Sequence, residues 1–196
     1  QCEWAAQFMA NWQGYEQVPD GFDAAAWQIE HNGLLLRRKA ELESAGGLVF
    51  TEAQNYFRLK GSTGVLAGKA DLVVLPDPDQ YTTAVVEDAK TGKPQPSHVA
   101  QVLLYMLALP RAFPQYRNTR FAGRVVYKEH IVEVPADRLD DGFMEKFKTT
   151  WAKLASTEPA QKVPSIHECR FCKLTKADCA DRMDEAEYQM EVTDLF

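Results

Sequence analysis

The sequence predicts an α/β protein, and three observations lead there. Two stretches near the front carry apolar residues at helical spacing. The middle of the chain then changes to short runs rich in Val, Leu, Phe and Thr, divided by turn residues. Helical and strand patterns alternate after that, and a helix, a meander, a helix and more strands build a sheet covered by helices. The chain has 196 residues, 45% of them apolar, enough for one well-formed core. It is read as a single domain over 1–196, with an N-terminal helical segment (1–23), a core (24–155), and a C-terminal cysteine segment with an acidic tail (156–196).

Residues 3–13 are expected to be helical because Trp4, Phe8 and Trp12 recur about one turn apart, and Pro19-Asp20-Gly21 marks a turn after them. A second helix is expected over Ala24–Ala45, carrying Trp27, His31, Leu34, Leu35 and Leu42, with Arg37-Arg38-Lys39 at its middle. Gly46-Gly47 supplies the backbone freedom that ends it. Leu48–Leu59, Val65–Leu75 and Thr83–Ala89 read as three strands of an antiparallel meander, separated by turns at 60–64 and 76–79. Ser97–Leu109 follows as an apolar helix ended by Pro110. Phe121–Tyr127 and His130–Val134 read as strands around Lys128-Glu129, and Asp137–Ala155 as a last amphipathic helix. The cysteine segment comes after Pro159 and Pro164. There is no internal repeat and no low-complexity stretch.

Composition narrows the function classes. No run of 18 apolar residues exists, so a spanning helix is excluded and no membrane partner is expected. The chain opens Gln-Cys-Glu-Trp with neither an initiator Met nor a secretion signal, so a trimmed start and a reducing, cytoplasmic setting are expected. Net charge is −6, but residues from Asp181 onward hold six acids and one base. The body is therefore close to neutral and leaves room for a local basic stripe. The acidic balance weighs against strong stand-alone DNA binding.

Two acidic positions carry the chemistry. Asp71 stands in mid-strand among apolar neighbours, which is costly unless something satisfies it. Asp88-Ala89-Lys90 closes another strand, where alternation puts Asp88 and Lys90 on one face and Glu87 and Ala89 on the other. If the strands are neighbours, Asp71 and Asp88 approach each other and need a cation; hard oxygen ligands favour Mg²⁺ or Mn²⁺. Lys90 would then hold a water or stabilise charge developing on a phosphate. By itself the acid-x-Lys triplet is a weak signal, equally a strand-end ion pair. His31 alone reads as easily as a packed core histidine. Gln101 and Tyr105, four apart on one helical face, fit a Tyr tip hydrogen-bonded at a domain edge. Glu87, His98 and His130 read as structure or surface, and the Arg37-Arg38-Lys39 run as a solvated face or the lining of a DNA path.

Taken together, Asp71, then Asp88-Ala-Lys-Thr-Gly-Lys, then Gln101-x-x-x-Tyr105 resembles the PD-(D/E)xK nuclease superfamily. More narrowly, the set is similar to the RecB-type branch that contains the CRISPR-associated iron–sulfur exonucleases. The resemblance implies a restriction-endonuclease-like core, a mixed central sheet flanked by helices, with N- and C-terminal segments joined at an iron–sulfur cluster. It implies Asp71, Asp88 and Lys90 as catalytic, and His31, Asp71, Asp88 and the Ala89 backbone carbonyl as ligands of Mg²⁺ or Mn²⁺. Gln101 and Tyr105 would position DNA or the metal shell. The alanine between Asp88 and Lys90 departs from the bulkier apolar residue common in relatives.

Cys169-Arg-Phe-Cys172 and Cys179 crowd one short segment, while Cys2 stands alone at the other end. Two thiolates two residues apart can grip one metal centre. In the resembled family, a distant N-terminal cysteine and three clustered C-terminal ones hold a [4Fe–4S] cluster, which implies Cys2, Cys169, Cys172 and Cys179 here. A local zinc site of His167, Cys169, Cys172 and Cys179 is the alternative, and free thiols the bland one. The expected function is a metal-dependent DNase, an exonuclease on DNA ends or single strands. The competing expectation is a catalytically accessory iron–sulfur or zinc DNA-binding module. The expected partners are DNA and the proteins of a recombination or CRISPR adaptation complex.

Overall fold

Five short apolar stretches assemble the central sheet. In this computed structural model, residues 2–184 except 13, 20, 78 and 80 are described. In chain order the helices are α1 (Glu3–Asn11), α2 (Ala24–Ser44), α3 (Pro96–Ala112), α4 (Asp141–Ala155) and α5 (Ile166–Arg170). The strands are β1 (Leu48–Thr51), β2 (Tyr56–Lys60), β3 (Val65–Lys69), β4 (Leu72–Leu75), β5 (Thr83–Lys90), β6 (Arg120–Tyr127) and β7 (Ile131–Val134). They belong to two units, residues 23–144 and residues 1–22 with 145–196.

In the first unit the sheet order is β1-β4-β5-β6-β7, with β5 and β6 parallel and the other pairs antiparallel. The parallel pair requires a crossover, and α3 provides it. Alternation sorts the side chains. Val73, Leu75, Ala84 and Val86 face one layer with Val102, Met106 and Leu109 of α3. Leu72, Val74 and Ala89 face the other with Leu34 and Leu35 of α2. The mixed sheet flanked by helices is therefore as expected.

The meander is not. The predicted strand over Leu48–Leu59 breaks at a 3₁₀ turn, Glu52–Asn55, and the one over Val65–Leu75 breaks at Ala70-Asp71. β2 and β3 form a separate two-stranded sheet, while β1 and β4 pair in the main one. Buried Asn55 holds the two breaks together, its Nδ2 donating to the Phe50 carbonyl at 2.9 Å and the Ala70 carbonyl at 3.2 Å. Asp71 thus sits at a bend rather than in mid-strand. Pro110 does not end its helix either: α3 runs on to Ala112, because a proline in the last turn forfeits only one backbone bond. Ala136–Arg138 is a 3₁₀ turn ahead of α4, and α5 is a short helix that the cysteine spacing did not announce.

The second unit pairs the two chain ends. Gln7 of α1 donates from Nε2 to the carbonyls of Lys153, Ser156 and Glu158 and accepts from the Ala160 N–H at 2.7 Å. Gln17 bridges to fully buried Leu174. Of the acidic tail, Asp181 and Asp184 pair with Lys162 and Arg182; residues 185–196 lie outside the described residues.

Candidate active site

The bend that ends β3 is what delivers Asp71. Its carbonyl accepts from Glu52 N–H at 3.0 Å, and its carboxylate Oδ2 accepts from Ala89 N–H at 2.8 Å. Antiparallel pairing of β4 with β5 opposes Leu72 to Glu87, so Asp71 lies beside Asp88. α2 brings His31 to the same place, with Nε2 3.4 Å from Asp71 Oδ2. Its other nitrogen, Nδ1, is buried without the hydrogen-bond partner that a ligand histidine would be expected to have.

Asp88 is only 1% exposed. Lys90 Nζ stands 2.7 Å from its Oδ2 as an ion contact, yet that oxygen has no hydrogen bond of acceptable geometry. Burial pushes the Asp88 carboxyl up to about 6, the Lys90 ammonium opposes the rise, and the neighbouring Asp71 charge adds to it. Asp71 is also raised by burial, against the Ala89 N–H and His31. Lys90 Nζ donates to Gln101 Oε1 at 3.0 Å, Gln101 Nε2 donates to the Tyr105 hydroxyl at 2.7 Å, and that hydroxyl donates to the Lys69 carbonyl at 3.1 Å. The Gln-x-x-x-Tyr pair on α3 thus orients the lysine through a chain of hydrogen bonds. Burial raises the Tyr105 hydroxyl to about 12, keeping it a neutral donor.

His31, Asp71, Asp88, Ala89, Lys90, Gln101 and Tyr105 all line one cleft of about 520 Å³. Glu87, on the opposite face as expected, is 1% exposed and held by Arg38 Nε at 2.7 Å, Arg38 Nη2 at 2.8 Å and Arg124 Nη1 at 3.1 Å. Arg38 is therefore part of a buried ion cluster rather than a solvated face. Its guanidinium is stabilised in the charged form chiefly by the Glu87 bond.

Sequence reasoning left other lining residues out. Trp27 stacks on His31 with centroids 4.9 Å apart, and its signal was available as one helical turn of spacing. Lys69 pairs with Glu52 at 2.8 Å on the cleft wall. His98, three residues before Gln101, also lines the cleft, with Nδ1 2.8 Å from the Tyr127 hydroxyl. Burial, and then the Lys90 charge, lower its proton affinity.

The thiols have their own place. Cys2, Cys169, Cys172 and Cys179 are all free and line one cavity of the second unit, with Lys162 and Arg182. Burial raises the Cys179 thiol, and the nearby Lys162 ammonium opposes that. His167 lines a different cavity, with Cys2 and Cys172. Among the described residues, no three His, Cys, Asp or Glu side chains stand close enough to hold a metal ion as they are. The acidic donor set nonetheless suits a hard divalent cation: two adjacent buried carboxylates, one with an unbonded oxygen, and an imidazole. Among the described residues no helix is long and apolar enough to cross a membrane.

Comparison with known proteins adds the lineage. No curated protein matches the chain. A solved structure described as "Crystal structure of SSO0001" is 17% identical with a TM-score of 0.46, over 82% of this chain and 73% of that one. A family model described as PD-(D/E)XK nuclease superfamily matches residues 2–177, a span that holds every cleft residue and all but one of the cysteines. By that match the chain belongs to the PD-(D/E)XK nuclease superfamily.

Proposed function

We propose that this chain is a Mg²⁺- or Mn²⁺-dependent deoxyribonuclease, an exonuclease on DNA ends or single strands, similar to the RecB-type branch with the CRISPR-associated iron–sulfur exonucleases. The observation that carries the reading is the convergence of Asp71, Asp88 and Lys90 in one cleft, with Asp88 buried and short of a hydrogen bond. Buried carboxylates so placed are costly to an apoprotein and useful to a cation site. Asp71, Asp88, His31 and the Ala89 carbonyl would hold the ion. When bound, it supplies Lewis acidity at a phosphodiester and favours ionisation of water. Lys90, aimed by Gln101, meets the charge that develops on the phosphate. Tyr105 keeps Gln101 from rotating away.

The four thiols on one cavity support a [4Fe–4S] cluster on Cys2, Cys169, Cys172 and Cys179 over a zinc site using His167, which lines another cavity. Its role would be structural, tying α1 to the C-terminal segment. A cytoplasmic setting and partners from a recombination or CRISPR adaptation complex belong to the same proposal. The test is cleavage of end-labelled single- and double-stranded DNA with Mn²⁺ by anaerobically purified protein. Asp88→Ala should abolish cleavage while the thermal transition stays cooperative. Undiminished activity in that variant would sink the reading.

A further inference from the structure

His98 of α3 lines the cleft and has no part in the nuclease reading. Its half-buried ring is anchored at one nitrogen, Nδ1, which lies 2.8 Å from the hydroxyl of buried Tyr127 at the end of β6. The ring of His130 braces Tyr127 in turn, stacked with centroids 4.7 Å apart. Among the described residues the Tyr127 hydroxyl has His98 Nδ1 as its hydrogen-bond partner, so its proton is directed there. Burial, and then the Lys90 charge, favour the neutral imidazole. A neutral ring that accepts at Nδ1 carries its own proton on Nε2. That N–H has no partner among the described residues and is not sealed from solvent. With one lone pair taken by Tyr127 and the other nitrogen protonated, His98 is a donor and not a metal ligand.

The sheet fixes where this donor stands. β5 lies between β4, which Asp71 immediately precedes, and β6. Parallel register pairs Lys90 with Tyr127, which puts both side chains on one face. His98, held over Tyr127, therefore flanks Lys90 on the side away from Asp71, about one strand spacing (~4.8 Å) farther across the sheet. Exposed Lys93, with no ion partner among the described residues, lines the same cleft. The acids and the amine of Lys90 suffice for one phosphate and its cation, and a further donor beside them suits the next phosphate along a strand.

Resting on the nuclease reading of the site, we propose that His98 binds nucleic acid, its Nε2–H donating to the phosphodiester next to the one being cut. Tyr127 is the positioning residue that holds the ring in its donor form. A contact of this kind reads the backbone and not the bases, so it sets the register of the strand without sequence preference. It acts on binding, whereas Lys90 acts on the charge that develops during cleavage.

Two measurements test this, one of them independent of cleavage. In the full-length Asp88→Ala protein, fluorescence anisotropy reads the binding of a labelled single-stranded oligonucleotide. Adding His98→Ala should weaken that binding by about tenfold, the scale of one hydrogen bond to a charged group, while adding His98→Gln, which keeps an amide donor, should retain most of it. Nitrogen-15 spectra of the histidine rings should place the His98 proton on Nε2, and the oligonucleotide should shift that resonance. In the active protein, His98→Ala should raise KM on single strands by about tenfold and leave kcat nearly unchanged. Mn²⁺ affinity measured by calorimetry should be the same in His98→Ala and wild type. Equal binding with and without His98, or no binding by the Asp88→Ala parent, would overturn the proposal. So would a proton on Nδ1, a loss in kcat at unchanged KM, or a His98→Gln protein as weak as His98→Ala. A wild type that holds the oligonucleotide through His98 but cuts no DNA would keep the phosphate site and remove the nuclease reading.

Discussion

Asp88 and Glu87 are consecutive, equally buried, and resolved in opposite ways. Glu87 is neutralised by two guanidinium groups and forms a fixed part of the structure. Arg38→Ala should cost about 2–4 kcal/mol in chemical denaturation, because it removes two of the three hydrogen bonds to a buried carboxylate and leaves Arg124 to hold it, whereas an Arg38→Met/Glu87→Met double variant should recover most of that loss. Among the described residues Asp88 has Lys90 as its ion partner, and its folded proton affinity lies above that of an unfolded aspartate. The sign follows: between about pH 4 and pH 6 the unfolded chain releases this proton before the folded one does, so metal-free stability falls across that window. A cation at the site competes with the proton. The rise in melting temperature on adding Mn²⁺ should therefore be larger at pH 7.5 than at pH 5. Lys90→Ala should lower kcat far more than DNA affinity, and Tyr105→Phe should reproduce part of that loss by leaving Gln101 free to turn. At this scale the meeting of the two acids was legible in the sequence, because Asp88 and Lys90 share a strand face by alternation and Asp71 stands just before the strand that pairs with theirs, though at a bend the pattern did not show. The partners of Glu87 were not, since Arg38 reaches it from another element by a pairing that no local pattern encodes.

Among the elements, α3 decides where Lys90 points, and its distance from the sheet is set by one missing side chain. A Cβ at Gly123 of β6 would clash with Val102 Cγ1 and lie 3.0 Å from Met106 Sδ. Gly123→Ala should therefore lift α3, cost about 1–3 kcal/mol, and reduce kcat by drawing Gln101 away from Lys90. Stability is read from urea unfolding and turnover from the Mn²⁺ assay; normal turnover with normal stability would contradict this account. The helices were legible because their apolar residues recur over several turns. The split of two long strand patterns into four was not, because it depends on Asn55 bonding a carbonyl 15 residues away in sequence. Apolar residues flank Ala70-Asp71 on both sides, so the pattern runs on through the point where bonds from Asn55 and the Glu52 N–H hold the chain at a bend.

For the whole molecule, the cysteines give the sharpest prediction. Iron and sulfide should be present in wild type and lost in Cys2→Ala, with His167→Ala unaffected, as measured by elemental analysis. Stoichiometric zinc that survives Cys2→Ala but not His167→Ala would reverse the assignment. The sequence placed the thiols at opposite ends of the chain and left their meeting to resemblance. Among the contacts that join the ends in the structure is the amide of Gln7, whose oxygen and nitrogen are both engaged with residues 153–160.

That closure has a consequence for biosynthesis. Gln7 and Ala160 are 153 positions apart, and at about 5–20 residues per second a ribosome needs on the order of ten seconds or more between them. Residues 23–144 emerge entirely within that interval, so the cleft that holds Asp71 and Asp88 can be assembled while α1 still lacks its counterpart. Cys2 waits throughout as an unengaged thiol, open to oxidation. Any inorganic centre shared by Cys2 and Cys179 can be loaded only once translation has passed both, which makes maturation a step after synthesis rather than part of it.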